Sequence, residues 1–452
     1  MSDTQQNDLA RKDGKDSEAD HGTDHGTGAA PAGVSRRRLL GTASAVGAAG
    51  LAVGAAGGAA ASAAGRHEPA SVTALTTVGT DTVAFHGAHQ PGITTPLQAR
   101  GHLVAFDLAP GAGRKEASAL LRRWSASARA LMAGEPAAGH DTGVALDAGP
   151  SSLTVTFGFG RTFFDRTGLT GRRPSALDPL PPFSSDHLDA RRSDGDLWIQ
   201  VGANDALVAF HALRTLQKDA GAAARVRWQM NGFNRTPGAT AHPMTARNLM
   251  GQLDGTANPK PSEPDFDRRL FVPPTPTAGP AADSTASEDT AWMAGGSYAV
   301  VRRIRMLLDS WEQLSLHHQE QVIGRRKADG APLTGGTEGT ALGLDTVGPD
   351  GKLVIPGNAH ARISAPEANG GAAMLRRPFS FHDGIGPDGT PDAGLLFVCW
   401  QADPLKGFVP VQRKLDRGDA LSAYIRHEAS GLFAVPGGAR EGEYVGQRLL
   451  EA

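Results

Sequence analysis

Residues 103–131 read LVAFDLAPGAGRKEASALLRRWSASARAL, and this stretch decides the class of the fold. Its first six residues form a short apolar run, which is typical of a β-strand. After a turn that contains proline and glycine, one apolar stripe with helical spacing runs through positions 117, 120, 121, 124, 128 and 131. The arginines at positions 122, 123 and 129 lie off that stripe. The stretch therefore predicts a strand followed by an amphipathic helix.

The residues that follow extend this pattern to a complete motif. Residues 153–159 alternate between apolar residues and Thr or Gly, which predicts a half-buried strand, and residues 197–201 predict another. Asn204 is predicted to cap a helix over residues 205–218, and residues 226–230 alternate again as a strand. The order β-α-β-β-α-β is ferredoxin-like.

A second half repeats this order more loosely. Strands are predicted at residues 298–306, 395–400 and 432–435, with helices at 307–322 and around 419–426. Two long loops rich in Pro and Gly, 259–289 and 327–356, lie between these elements, and loops of such length are usually functional or disordered insertions. We place the boundary near residues 235–245. The prediction is an α+β chain with an N-terminal domain over 66–240 and a C-terminal domain over 241–452.

Residues 1–65 are predicted to be a targeting segment rather than part of the folded domains. Residues 1–34 are polar and without periodicity, which predicts disorder. SRRRLL at 35–40 then precedes a weakly apolar, Ala- and Gly-rich segment that has no charge before Arg66, with an A-x-A cleavage site at 61–63. This leader resembles a twin-arginine export signal, which implies the twin-arginine machinery as a partner and an extracellular, periplasmic or cell-envelope location. An uncleaved membrane anchor is the alternative; after cleavage, no stable membrane span is expected.

Composition excludes several classes of protein. The formal net charge of −2 argues against a nucleic-acid partner, because phosphate binding needs a basic face. The single cysteine, Cys399, excludes an internal disulfide, a four-cysteine zinc site, C-x-x-C-H haem attachment and a lipoprotein anchor. On its apolar strand Cys399 is expected to be a core residue rather than a thiolate ligand.

Three short stretches contain residues that could take part in catalysis or bind a cofactor. Asp254 lies in GQLDGTANP (251–259), where flanking glycines let the backbone approach a bulky flat ligand, although an Asp-Gly turn is the simpler interpretation. His360 lies in GNAHAR (357–362), apart from any apolar stripe. Arg376 and Arg377 lie in MLRRPF (374–379), where an extended backbone would let only one of them enter a given pocket.

Together these stretches resemble one family, the dye-decolourising peroxidases. G-x-x-D-G at 251–255 is the signature of that family. Further similar motifs, in the family's order, are FHGAHQPGI (85–93), GDL (195–197) with QVGAND (200–205), HALR (211–214), NAHAR (358–362), MLRR (374–377) and GLLFVC (394–399). The resemblance covers nearly all of residues 70–450. An exported branch with a twin-arginine leader includes an iron-uptake-associated peroxidase.

The resemblance implies a fold, a cofactor and a set of site residues. The fold would be two ferredoxin-like domains with antiparallel sheets packed together, like a dimeric α+β barrel. Heme b would lie in the C-terminal half with His360 as its iron ligand, Asp254 and Arg376 on the opposite face, and Arg362 paired with a propionate. The residues implied to line or contact the haem are Gly255, Thr256, Ala257, Ala365, Pro366, Glu367, Leu395 and Phe397, of which the last two would form a dry lid. Hydrogen peroxide would be reduced, and dyes, phenols or other bulky organic donors would be oxidised; a homo-oligomer is left open.

Physical chemistry supports the division of roles between the two distal residues. Splitting peroxide requires a proton to move from the inner to the outer oxygen, and a partly desolvated Asp254 can carry it. Arg376 offers a fixed positive charge to the departing hydroxide.

The sequence also leaves other functions and sites open. The rival functions are deferrochelatase-like release of iron from haem and a non-catalytic haem carrier, which would need a second axial ligand. His317, His318 and Glu320 suggest a non-haem iron site, which would need a second carboxylate-histidine helix. For His86 and His89, structural hydrogen bonding is expected. The aromatic residues considered as electron relays, for each of which packing is favoured, are Tyr298, Trp311, Trp400 and Tyr444.

Overall fold

The computed structural model describes residues 78–139, 141–240, 244–274 and 288–451. The predicted export leader lies outside the described residues, as does part of the first long loop. Within these four ranges, no helix combines the length and the apolar character needed to cross a bilayer.

The N-terminal half is built from four strands, two long helices and one short helix. The strands are β1 (Arg100–Leu108), β2 (Thr154–Phe159), β3 (Leu197–Ala203) and β4 (Ala224–Phe233), and the helices are α1 (Arg114–Met132), α2 (Arg161–Thr167) and α3 (Ala206–Ala220). The strands pair in the antiparallel order β2-β3-β1-β4. This is the ferredoxin-like arrangement, with α1 and α3 as its crossover helices.

The C-terminal half repeats the arrangement. Its main strands are β5 (Ser297–Met306), β7 (Phe379–Ile385), β8 (Pro391–Gln401) and β9 (Ile425–Val435), and the two-residue strand β6 (Leu375–Arg376) also pairs with β8. The helices are α4 (Phe266–Leu270), α5 (Leu308–Glu312), α6 (Leu316–Ile323), α7 (His360–Ser364), α8 (Phe408–Gly418) and α9 (Gln447–Leu450). The order β9-β5-β8-β7 matches that of the first half, so the predicted fold class is confirmed.

Two seams join the halves into a ring of strands. Phe159 of β2 pairs with Ala434 of β9, and Phe233 of β4 pairs with Ser380 of β7. Buried side chains from both sheets fill the space inside, including Trp198, Trp228, Val301, Phe379, Leu396, Val398, Trp400 and Phe433. Gly101 is needed at one seam, because a Cβ there would lie 2.5 Å from the ring of Phe379.

The outer face of the N-terminal sheet is covered by its two crossover helices. All six positions of the predicted apolar stripe are buried on α1. The indole N–H of Trp124 donates to the carbonyl of Leu216 on α3 at 2.8 Å, which ties the two helices together. The amphipathic pattern read from the sequence therefore identifies the packed face correctly.

Three local predictions were wrong. Asp205, not Asn204, caps α3, because its carboxylate accepts from the N–H groups of Leu207 and Val208. The helix predicted over 307–322 is two short helices, since Ser315 caps α6 and ends the preceding turn. The helix predicted at 419–426 is instead a 3₁₀ segment followed by β9, while α8 lies just before it and holds Pro410 in its first turn, where no N–H is needed.

Candidate active site

His360 is the first residue of α7 and is oriented by a buried carboxylate. Its Nδ1 lies 2.7 Å from Oδ2 of Asp419, whose side chain is 2% exposed. The other oxygen of Asp419 accepts from the N–H of Leu421 at 3.0 Å. Because a carboxylate only accepts, Nδ1 carries a proton, and in the neutral imidazole the lone pair therefore lies on Nε2. Nε2 has no hydrogen-bond partner in the described part of the chain, and 29% of the His360 side chain is exposed.

The charges of Asp419, Arg376 and Asp254 each shift the pKa of His360. Burial lowers the pKa of His360, but the charge of Asp419 and its hydrogen bond outweigh burial, so the pKa lies above its ordinary value. Arg376 lowers this pKa and Asp254 raises it. The charges of Arg376 and Asp254 therefore act on His360 as well as on each other.

Asp254 and Arg376 form an ion pair. Nη1 of Arg376 donates to Oδ1 of Asp254 at 3.1 Å, and the two side chains are 27% and 18% exposed. Arg376 ends β6, where it pairs with Cys399 of β8. Asp254 lies in a narrow loop, and its backbone N–H donates to the carbonyl of Ala246 at 2.8 Å.

Arg377 points away from this pair. Its guanidinium donates to the carbonyls of Gly92 and Pro96 in the N-terminal half and is 5% exposed. Burial lowers the pKa of Arg377 to about 10. Of the two adjacent arginines, therefore, Arg376 lies at the site and Arg377 ties the halves together.

Asn258 and Glu338 hold the Asp254 loop, and neither was predicted from the sequence. The side-chain amide of Asn258 donates to the carbonyl of Arg376 at 2.8 Å and accepts from its N–H at 3.1 Å. Glu338 accepts from the hydroxyls of Thr245 and Thr256. Asn258 lies inside the quoted motif, but Glu338 lies in a long loop whose sequence carries no signal for this contact.

An incompletely filled apolar cluster borders the site and includes Leu395 and Phe397. Among the described residues, five of its members are buried and nine are only partly buried, whereas the cluster inside the ring has 19 buried members and one partly buried member. The buried members are Met250, Met306, Trp311, Leu395 and Leu421. Side chains thus leave apolar surface uncovered here, as a flat apolar cofactor would require.

The two segments predicted to contact the haem, residues 255–257 and 365–367, lie in backbone turns. Gly255 has φ +136°, and a Cβ there would meet no atom closer than 3.5 Å. Thr256 is tied to Glu338, and Ala257 is exposed. On the other segment Ala365 is buried, Pro366 begins a 3₁₀ turn and Glu367 is exposed.

Arg362 is already engaged by protein groups. Its guanidinium donates to the carbonyls of Ile355, at 3.2 Å, and of Leu344. Both carbonyls belong to the second long loop, so Arg362 fastens that loop beside α7. Its pairing with a propionate stays a prediction.

The alternative metal ligands have other roles. His318 interacts with Ser315 at the start of α6, and Glu320 accepts from the N–H of Lys327. No group of three His, Cys, Asp or Glu side chains within the described ranges could hold a metal ion. Burial raises the pKa of Cys399 to about 12, so its thiol stays protonated.

The remaining candidates are packed or hydrogen-bonded. The ring of His89 stacks on Phe271 and its Nδ1 lies 2.7 Å from the carbonyl of Gly295, while His86 meets Phe85 edge-on. The aromatic residues weighed as relays are all buried: Tyr298, Trp311, Trp400 and Tyr444.

A histidine oriented by a carboxylate, an incompletely covered apolar cluster and an Asp–Arg ion pair are compatible with a haem peroxidase site. The family models agree with this class. The model described as Dyp-type peroxidase, N-terminal, matches residues 90–234, and the one described as Dyp-type peroxidase, C-terminal, matches residues 245–440. The chain therefore belongs to the DyP-type peroxidase family, whose members are haem proteins, and it is a peroxidase.

Individual relatives span most of the chain. A dye-decolorizing peroxidase of Thermobifida fusca is 48% identical over 375 residues, which cover 80% of this chain and 84% of that protein. A deferrochelatase of Escherichia coli (strain K12) is 34% identical over 430 residues, covering 92% and 97%. A DyP-type peroxidase from Streptomyces coelicolor has a crystal structure with TM-score 0.80 and 74% identity, covering 84% and 99%. Ferric DtpA from Streptomyces lividans is equally identical at TM-score 0.79, covering 84% and 99%.

Proposed function

We propose that heme b binds between His360 on one face and the Asp254–Arg376 pair on the other, with Nε2 of His360 as the iron ligand. The observation that carries this proposal is the 2.7 Å contact between Nδ1 of His360 and Asp419, since it leaves the Nε2 lone pair available. The uncovered apolar surface beside Leu395 and Phe397 supports a flat ring at this position. When bound, haem supplies the iron at which peroxide is reduced and through which electrons return from an organic donor.

Asp254 and Arg376 would do the acid–base and electrostatic work. Asp254 would take the proton from the inner oxygen of hydrogen peroxide and return it to the outer oxygen, which would leave as water, with bound haem as the source of the two electrons that this cleavage requires. Arg376 stabilises the negative charge that develops on the outer oxygen before that proton arrives. The 3.1 Å contact between the two side chains supports a shared role at one peroxide molecule.

Other residues would hold the ring rather than take part in proton transfer. Leu395 and Phe397 exclude water from the peroxide side, which strengthens the charges of Asp254 and Arg376. The contacts proposed for the macrocycle edge are residues 255–257 and 365–367, with Arg362 for a propionate. Dyes, phenols and other bulky donors are proposed as the reductants.

Replacement of His360 by Ala tests the ligand assignment. The His360→Ala protein, produced in a host well supplied with haem, should lose its Soret absorbance or retain only a small fraction of it. His382→Ala is the matched control, because His382 is an exposed histidine on β7 of the same half. An unchanged haem spectrum in His360→Ala would refute the assignment.

Replacement of the distal residues tests the chemistry separately from haem retention. Asp254→Asn and Arg376→Leu should keep haem and slow the reaction with peroxide, each by about 10²-fold or more, the scale expected for a general acid–base or charge-stabilising group. Stopped-flow mixing with peroxide measures this rate directly. Rates equal to that of the parent protein in both variants would contradict the proposed roles.

Release of iron from haem is the alternative function, favoured by the deferrochelatases that are 34% to 36% identical to this chain. Product analysis separates the two functions. Metal-free protoporphyrin would indicate iron extraction, whereas peroxide-dependent bleaching of a dye would indicate oxidation.

Export through the twin-arginine pathway is proposed from the leader alone. A double Arg36→Lys, Arg37→Lys variant should stay inside the cell, while Arg11→Lys, which changes an arginine outside the motif, should be exported. Export of the double variant at the parent level would exclude this route.

A further inference from the structure

The loop that carries Asp254 is a narrow hairpin. Arg247 and Leu253 form an antiparallel bridge, and the N–H of Asp254 donates to the carbonyl of Ala246 at 2.8 Å. The N–H of Asn248 donates to the carbonyl of Gln252 at 3.0 Å nearer the tip. Asp254 thus makes the last backbone hydrogen bond at the open end of the hairpin, where side-chain contacts can hold the two segments together.

The side chain of Glu338 links the two segments at the open end of the hairpin. Its Oε1 accepts from the hydroxyl of Thr245 at 2.5 Å and from the hydroxyl of Thr256 at 2.8 Å. The two threonines flank Asp254 on opposite strands of the hairpin. One carboxylate oxygen therefore bridges both strands, and a hydrogen bond to a charged acceptor is about twice as strong as one between neutral groups.

The loop that supplies Glu338 is itself anchored. Nη1 of Arg325 donates to the backbone carbonyls of Gly330 and of Glu338, at 2.8 and 2.9 Å. The hydroxyl of Thr334 donates to the carbonyl of Leu342 at 2.9 Å. The backbone segment that carries Glu338 is therefore held in place by hydrogen bonds within and next to its loop.

The charge of Glu338 also opposes a nearby repulsion. Burial lowers the pKa of Arg325, Glu338 raises it and Arg376 lowers it further. The two arginines therefore repel each other, and the carboxylate of Glu338, a residue whose backbone carbonyl accepts from Nη1 of Arg325 at 2.9 Å, offsets this repulsion. Removal of this carboxylate would leave their repulsion uncompensated at the edge of the site.

We propose that Glu338 is a positioning residue for peroxide activation, which holds the hairpin closed so that Asp254 stays within reach of Arg376 and of the peroxide oxygens. This inference rests on the proposed roles of Asp254 and Arg376. It assigns a task to the long loop over residues 327–356, whose function the sequence left open. Misplacement of a catalytic group by about 1 Å is enough to cost about 10²-fold in rate.

Glu338→Ala tests the clamp through two readouts. The second-order rate constant for reaction with hydrogen peroxide should fall by about 10- to 100-fold, while the rate at which an organic donor reduces the oxidised protein should change much less. Amide hydrogen exchange of the peptide that contains Asp254 should increase, because its N–H then opens more often from Ala246. Haem content should equal that of the parent protein.

Conservative variants and a control separate positioning from a general loss of structure. Glu338→Gln keeps an oxygen that can accept from both threonines but lacks the charge, so its peroxide rate should lie between those of Glu338→Ala and the parent protein. Thr245→Val with Thr256→Val should reproduce Glu338→Ala and keeps the test open if that variant fails to fold. The control is Asp345→Ala, since Asp345 is an exposed carboxylate of the same loop with no hydrogen bond to other described residues.

The outcomes distinguish this inference from the proposed function. If Asp254→Asn slows the peroxide reaction but Glu338→Ala leaves both the rate and the amide exchange at parent levels, the positioning role is wrong and the function stands. If Asp254→Asn itself has no effect on the rate, the proposed role of Asp254 fails, and unchanged exchange in Glu338→Ala would then overturn the clamp separately. Equal slowing in Glu338→Ala and Asp345→Ala would also overturn it.

Discussion

Replacement of Asp419 by Asn removes one negative charge and almost no volume next to the proposed iron ligand. In the parent protein both carboxylate oxygens accept: Oδ2 from Nδ1 of His360 at 2.7 Å, and Oδ1 from the N–H of Leu421 at 3.0 Å. An amide has only one oxygen, so its NH₂ group must face one of these two donors. If it faces His360, the imidazole must move its proton to Nε2 to provide an acceptor, and that tautomer cannot bind iron.

The size of the effect follows from either outcome. The orientation that preserves the histidine tautomer leaves the buried Leu421 N–H facing a donor, and the other orientation costs the ligating tautomer. Changes to a group that orients a metal-bound histidine typically weaken binding by about 10- to 100-fold, which corresponds to about 1.4 to 2.8 kcal/mol. We expect Asp419→Asn to weaken haem affinity within that range.

Titration of haem into the apoprotein, followed by Soret absorbance, measures this affinity. Asp416→Asn is a matched control three residues away, since Asp416 accepts from the backbone N–H groups of Ser184 and Ser185 and does not contact His360. The control should lose some stability and keep the parent affinity for haem. Parent-like affinity and an unchanged Soret band in Asp419→Asn would refute the argument from the tautomer.

Two further predictions concern stability. Arg377→Met should lower the free energy of unfolding by about 3 kcal/mol, the sum of roughly two hydrogen bonds from a charged group, which urea titration measures. The peroxide rate of the folded protein, measured by stopped-flow mixing, should be unchanged. Burial, with a smaller contribution from the charge of Arg302, lowers the pKa of His427 to about 3, and Asp416 only partly opposes them. As pH falls below about 6.5, the unfolded chain protonates this histidine and the folded chain does not, so stability falls until pH reaches the folded pKa. Between pH 7 and pH 4.5 the loss should be about 2 to 3 kcal/mol smaller in His427→Gln than in the parent protein, and equal losses in urea unfolding would show that His427 is not the cause.

Local periodicity accounts for the part of the fold that could be predicted. Along α1 the apolar stripe is formed by residues within three or four positions of each other, so burial of that face is visible in the sequence. The strands β1, β3 and β5 also have continuous apolar runs and were located within a few residues. β7 and α8 were missed, because β7 is buried only over its first residues and α8 contains a proline.

Distance along the chain explains which parts of the site could not be predicted. His360, Asp254 and Arg376 lie in motifs that can be quoted as short stretches, whereas their partners come from elsewhere. Asp419 lies 59 residues from His360, and the contacts that hold the Asp254 loop join residues 82, 93 and 118 positions apart. Asp, Glu and Asn are common surface residues, so nothing in their local sequence separates a partner from a solvated side chain.

The register between β6 and β8 places the single cysteine, Cys399, opposite Arg376 of the proposed site. Cys399 faces Arg376 across the β6–β8 ladder and is fully buried. A thiolate at this position would compete with Asp254 for the arginine, but burial raises the pKa of the Cys399 thiol to about 12, so it stays neutral near pH 7. A small neutral side chain is therefore what this register requires, and Cys399→Ala should keep the peroxide rate, whereas Cys399→Asp would place a second carboxylate against Arg376. A fall in the peroxide rate of Cys399→Ala to the level of an Arg376 variant would show that the thiol has a role beyond its size and neutrality.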